Sequence, residues 1–291
     1  MTARRRWHER LFPIARIDQI GIIDHDLQPV EKPPLEPHVL ADVIDLSLWA
    51  GQLMLASGAE TEQIEETVHV LGTGLGAAWM DILISPAAVA VTTVSGGEFR
   101  TKIRRVVAIH TDLNIITRVN SLSRQVAAGR LDRVGLRAAL AGLNEADAQL
   151  YPFPLRLFVA GSACAAFSQL FGGDGPAFLF AFIGGVVGYA VRTFLSDRYF
   201  NPYLIVFTTT FTAAMISGLA ARVGGTASAP PAIASAVLLL VPGVHLVNAA
   251  EDLIKGHMVM GIVRGVLGLL ISLSIAFAIL LALSLTGLEL F

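Results

Sequence analysis

The stretch Leu240-Val-Pro-Gly-Val-His-Leu-Val-Asn-Ala-Ala-Glu-Asp-Leu-Ile-Lys-Gly-His-Met-Val-Met-Gly-Ile-Val-Arg264 decides how this chain folds. It opens inside an apolar run long enough to cross a bilayer, interrupts that run with Pro242-Gly243, and then sets His245, Asn248, Asp252 and Lys255 at i, i+3, i+7 and i+10. Polar side chains at membrane depth are costly, so a group of them on one helical face points to a solute path. Pro242 lacks an N–H and its ring clashes with the preceding turn, which predicts a kink or break there. The half-helix that restarts at Gly243 has a positive dipole end and free donor N–H groups, suited to a carboxylate. Asn248 supplies both donor and acceptor, and His245 is the side chain that titrates near neutrality. The plainer reading is that Glu251, Asp252, Lys255 and Arg264 are interfacial charges, with Asp252 or Glu251 paired to Arg264, and that His245 and Asn248 bond a neighbouring helix.

Working outward, the chain is 54% hydrophobic and 15% charged, with a mean hydropathy of +0.65, the composition of a membrane protein. Of its 21 Lys and Arg, only Arg192, Arg198, Arg222, Lys255 and Arg264 follow Leu157, so a polar half precedes a lipid-embedded half. Five apolar segments, roughly 155 to 171, 176 to 195, 202 to 221, 231 to 250 and 262 to 287, each approach the ~20 residues that a bilayer core requires. With the N-terminus cytoplasmic, Arg192, Arg198, Lys255 and Arg264 fall inside and Arg222 alone outside, which fits the positive-inside rule. Gly184-x-x-x-Gly188 offers a small-residue face for close helix approach. A net charge of -2 gives no reason to expect nucleic acid, and the single Cys164 forms no intrachain disulfide.

The expected fold is therefore an α-helical polytopic membrane protein of five transmembrane helices with an N-terminal cytoplasmic α+β domain. Residues 1–37 read as a basic, proline-rich tail and linker, 38–154 as the soluble domain, and 155–291 as the transmembrane domain. Within 38–154 the periodicity predicts a helix from about Leu40 to Ser57 and a second capped by Thr61. Three short β-rich runs follow, Met80 to Ser85, Val89 to Val94 and Phe99 to Val107, separated by Pro86 and by Ser95-Gly96-Gly97, the pattern of an antiparallel meander. Two more helices, Asp112 to Ala128 and Asp132 to Leu150, complete an ααβββαα order.

Glu62, Glu66 and His69 share a face of the second helix and would suit a metal or acid–base chemistry, but acidic residues near a helix N-terminus are more simply a solvated face. His110-Thr-Asp112 invites a hydrolase reading, yet Asp112 before a helix is an N-cap by default, and no nucleophile elbow, zinc-protease helix or P-loop accompanies it. No metal or other cofactor is expected.

Ser57-Gly-Ala-Glu60 with Glu65, the run from Asp112-Leu-Asn to Ser121-Leu-Ser-Arg124 and Gly129, and Pro242-Gly243 followed by Asn248, Asp252, Gly256, Gly261 and Arg264 together resemble the threonine/serine exporter (ThrE) family. More narrowly, they are similar to its short, split members of the YjjP type. The resemblance runs from about residue 40 onward. It implies a subunit of a multi-pass secondary exporter in the bacterial inner membrane. The other membrane half would come from a second small subunit of the YjjB type. The implied solute is small and carboxylate-bearing, threonine or serine for the fused members and a dicarboxylate such as succinate for the split ones. Together with the polar face that begins at His245, it gives the expected site residues: Pro242, Gly243, His245, Asn248, Asp252 and Arg264 for the solute, with Gly58, Glu60, Glu65, Glu251, Gly256 and Gly261 as further motif positions. A membrane-tethered hydrolase or a scaffold is the competing class.

Overall fold

A computed structural model describes residues 32–95, 98–107, 109–145, 151–223 and 229–287. The basic stretch Arg4 to Arg6 lies outside the described residues. Lys32 to Glu36 run as coil against the first folded unit, where the Lys32 ammonium donates to the carbonyls of Thr73 and Ala77 and the Leu35 N–H to the Ser95 hydroxyl.

Helix α1 (Pro37–Ala56) starts on a proline, whose fixed φ suits a first helical turn. It is apolar and long enough to cross a bilayer, but its buried face, including Leu40, Val43, Ile44 and Leu48, packs on a three-stranded sheet. That sheet is an antiparallel meander of β1 (Trp79–Ser85), β2 (Ala88–Ser95) and β3 (Glu98–Arg105), as the turn residues predict. Ser85 pairs with Ala88, so Pro86-Ala87 is a two-residue hairpin tip. Helix α2 (Thr61–Gly74) packs on α1 and β1, and α3 (Leu113–Ala127) and α4 (Arg133–Glu145) close the other side. One core holds this unit together, with Val89 and Val91 of the sheet and Ile64, Val68, Val119, Leu136 and Leu140 of the helices fully buried.

Two local expectations change. Thr61 does not cap α2: Glu60 holds the cap position without a side-chain bond, and Thr61 is the first helical residue. The predicted helix 132–150 is described only to Glu145, and its last five residues lie outside the described set. Asp112 behaves as the plain reading has it, accepting from the N–H groups of Asn114 and Ile115 at the start of α3.

The second half is a helical bundle of α5 (Phe153–Leu170), α6 (Gly175–Ser196), α7 (Pro202–Val223), α8 (Ala229–Val237), α9 (Gly243–Ile254) and α10 (Met258–Thr286). Helices α5, α6, α7 and α10 are each long and apolar enough to span, and Ala229–Leu240 with Gly243–Ile254 pass that test together, bent by 60° at the break between them. Gly184 and Gly188 do admit a close neighbour, and it is this chain's own α7: a Cβ at Gly184 would meet the Ala213 carbonyl at 3.0 Å, and one at Gly188 the Ala213 Cβ at 3.0 Å. The break differs from a simple kink at Pro242. The helix already tightens into a 3-10 turn at Leu238–Leu240, where the Val241 N–H donates to the Leu238 carbonyl at 3.2 Å. The proline ring would clash with that same carbonyl in a continuous helix, so the chain unwinds a turn early.

Candidate functional site

The site is built where the broken span turns back. Helix α9 ends at Ile254, Gly256 takes the left-handed conformation (φ 89°) that an L side chain resists, and α10 begins at Met258. The two helices then close tightly: a Cβ on Gly261 would lie 2.6 Å from Leu253 Cγ and 3.0 Å from the Ala249 carbonyl. That approach puts Arg264 against Asp252. Arg264 Nη1 donates to Asp252 Oδ2 at 2.8 Å, with Asp252 fully buried and Arg264 6% exposed.

The pair does not stop at the membrane half. Asp252 Oδ1 accepts the backbone N–H of Thr61 at 3.2 Å, so the group that caps α2 comes from a residue 191 positions later. Arg264 Nη2 donates to the Ala59 carbonyl at 2.5 Å, and Asn248 Nδ2 donates to the Gly58 carbonyl at 2.8 Å. Gly58 itself is left-handed (φ 78°), which turns the α1–α2 loop so that successive carbonyls face α9 and α10. Around this buried centre runs a charged rim. Lys255 pairs with Glu60 and, at 2.7 Å, with Glu62, and His257 Nδ1 lies 3.9 Å from Glu65 Oε1. Hydrogen bonds from both carboxylates push the Lys255 ammonium up from its ordinary pKa, while burial pushes the Glu65 carboxyl up against the opposing pull of His257.

A cleft of about 340 Å³ opens beside the junction. Val244, His245 and Asn248 of α9 and Arg264 of α10 form one wall, and Tyr203 at the start of α7 another. The α/β unit adds Gly58, Thr111, the Pro86-Ala87 hairpin tip and the apolar Val106, Val107 and Ile109, while Leu267 and Ile271 extend the α10 wall. Both the α6–α7 and the α9–α10 connections therefore lie on the side of the bundle that carries the α/β unit.

Of the residues singled out in the sequence, Gly58, Glu60, Glu65, Asn248, Asp252, Gly256, Gly261 and Arg264 converge on this junction. His245 joins Asn248 and Arg264 at the cleft. Pro242 and Gly243 do not line it: they form the break, and a Cβ on Gly243 would touch nothing within 4 Å. Glu251 is half-buried and gives its carbonyl to the turn at Lys255. Thr111, Tyr203 and the carbonyls of Gly58 and Ala59 carried no signal of this kind, because a lone hydroxyl in a loop or at a helix start and a backbone acceptor look the same in any sequence.

The alternative chemistry does not assemble. Glu62, Glu66 and His69 border an open groove with Trp79, but the Glu62 carboxylate is paired with Lys255 and the His69 ring lies edge-on to Trp79 at 5.3 Å. Among the described residues, no three His, Cys, Asp or Glu side chains are grouped to hold a metal ion.

A helical bundle with several helices long and apolar enough to span, and a bent break beside a mostly apolar cleft, is that of a polytopic membrane protein. The chain belongs to the threonine/serine exporter family: residues 45–286 match the family described as "Putative threonine/serine exporter" (ThrE). It is 29% identical over 248 residues to the "Probable succinate transporter subunit YjjP" of Escherichia coli, covering 85% of this chain and 96% of that one, and equally to the protein of the same name from Klebsiella aerogenes, covering 85% and 95%. It is 25% identical over 236 residues to the "Threonine/serine exporter" of Corynebacterium glutamicum, covering 77% of this chain but 48% of that one. No solved structure matches the chain.

Proposed function

We propose that this chain is one subunit of a secondary exporter in the bacterial inner membrane, moving a small carboxylate-bearing solute outward past the broken span, with the N-terminus and the α/β unit on the cytoplasmic side. The observation that carries this reading is the junction at Asp252 and Arg264, where the helical bundle and a cleft with a few polar groups in an apolar lining meet the α/β unit. The arrangement of loops supports the orientation, since Arg198, Lys255 and Arg264 lie toward the α/β unit as the positive-inside rule asks of a cytoplasmic side. The relative from Escherichia coli is named a transporter subunit, which supports a second subunit beside this chain.

A second observation bears on the solute. The lining of the cleft includes Arg264 and His245 but no Asp or Glu, so a carboxylate finds a cation while an amino acid's ammonium finds no acidic side chain. This favours a dicarboxylate over threonine or serine, and it agrees with the naming of the two YjjP relatives as probable succinate transporter subunits.

Proteoliposomes holding this chain, its second subunit, or both, loaded with labelled succinate, threonine and serine, test the proposal. Efflux is expected only from the pair, with succinate fastest. Absence of efflux of all three from the pair, together with turnover of a cytoplasmic substrate by the chain, would favour the hydrolase class instead.

A further inference from the structure

The broken span alone would give a solute only one wall. The cleft beside it has walls from both halves of the same chain, and this suggests a role for the α/β unit. Arg264 reaches the cleft with a guanidinium that carries five N–H donors, two of which are committed, to Asp252 and to the Ala59 carbonyl. Asn248 uses one amide N–H on the Gly58 carbonyl and keeps its other N–H and its oxygen. Exposed Thr111, next to Gly58, and half-buried Tyr203 bring two more hydroxyl-bearing side chains to the lining, and the Pro86-Ala87 tip, Val106, Val107 and the α10 residues Leu267 and Ile271 make much of the remainder apolar. At about 340 Å³ the space lies at the small end of ligand sites, sized for a metabolite of a few carbons.

We propose that this cleft is the docking site where a short organic acid binds before it crosses, with one carboxylate on Arg264 and Asn248, the carbon chain on the apolar wall, and the distal polar group on Thr111 and Tyr203. The α/β unit is then half of the binding site, and Thr111 and Tyr203 set which acid is accepted. The inference rests on the exporter reading. It adds a location, two residues and a part for the α/β unit that the reading does not require.

The chain's one cysteine, Cys164, is buried, so a cysteine placed in the cleft is the site that a maleimide reaches first. In the purified full-length Thr111→Cys protein, labelling is expected to slow about ten-fold when succinate is present at ten times its Kd, because the open fraction falls as 1/(1 + [L]/Kd). A Val134→Cys control, on an exposed position of α4, is expected to label at one rate throughout. Tyr203→Cys gives the same test from the other wall should Thr111→Cys fail to fold. In proteoliposomes, Thr111→Val is expected to raise KM for export and leave the maximal rate unchanged. If succinate and threonine leave labelling at both cleft positions untouched while the wild-type pair still exports, the docking site is wrong and the exporter reading survives; if the wild-type pair exports nothing, both fall.

Discussion

Two helices of this protein each carry three polar residues along one face and come to opposite ends. On α2, Glu62, Glu66 and His69 recur at i, i+4 and i+7; on α9, His245, Asn248 and Asp252 recur at i, i+3 and i+7. The first set stays at the surface, where Glu62 is more than half exposed and its partner Lys255 moves in water. The second set is drawn inward until Asp252 has no exposed surface. The cause is the depth at which each helix lies, not the pattern. A carboxylate that α2 can leave hydrated must, on α9, be matched by a guanidinium and a backbone N–H, because an unmatched charge there costs several kcal/mol. Periodicity therefore names a face, and only the neighbours of that face decide whether it is structure or site.

The sharpest way to break the contrast is to remove the buried carboxylate. Asp252→Ala leaves Arg264 charged in a dry environment and the first turn of α2 without its cap, so a loss of about 3–5 kcal/mol is expected. The measurement is thermal unfolding of the purified protein in detergent, with export falling alongside it. Asp252→Asn, which keeps the volume and an acceptor for the Thr61 N–H, is expected to recover part of the loss; equal melting of the two variants would mean that the lost charge accounts for all of it and the cap for none. Asn248→Ala comes next. It leaves the Gly58 carbonyl unpaired at the junction, a cost of about 1–3 kcal/mol.

Much of the framework could be read ahead of the structure. The spans follow from unbroken apolar length, and the meander from Pro86 and the Ser95-Gly96-Gly97 run, since both signals are local. Pro242 announced the break because a missing N–H is also local. Helix α1 shows what length and composition leave open: it passes the same test as the helices of the bundle, yet it packs against the sheet. The junction was legible on one side only. Asp252 and Arg264 could be suspected of pairing, but their further partners are the Thr61 N–H and the Ala59 carbonyl, backbone groups about 200 residues away that every residue possesses. Glu60 and Lys255 likewise carry no mark of each other until the α1–α2 loop is folded against the α9–α10 turn.

On the exposed side of the contrast the expected effects shrink. Glu62→Ala should change stability by no more than about 0–1 kcal/mol, the range for an ion pair held in water, and should leave export near wild type. Raising the salt concentration should erase what difference there is, whereas it should leave the Asp252→Ala deficit in place, because screening acts on the rim and not on the buried pair.

The smallest expected effect lies between the two classes, at Glu65, whose side chain is a third exposed and sits 3.9 Å from the His257 ring. Burial raises its pKa above 4.5, so the folded protein holds this proton more tightly than the unfolded chain does. The sign follows from that: the favourable contribution is complete below pH 4.5 and is lost as the pH rises through the raised value, leaving Glu65 a mild liability at neutrality. Glu65→Gln is accordingly expected to melt slightly higher than wild type at pH 7, and the two melting curves should converge as the pH is lowered toward 4.5. A lower melting point for the variant at pH 7 would instead make the attraction to His257 the stronger influence, and would move Glu65 from the exposed class to the buried one.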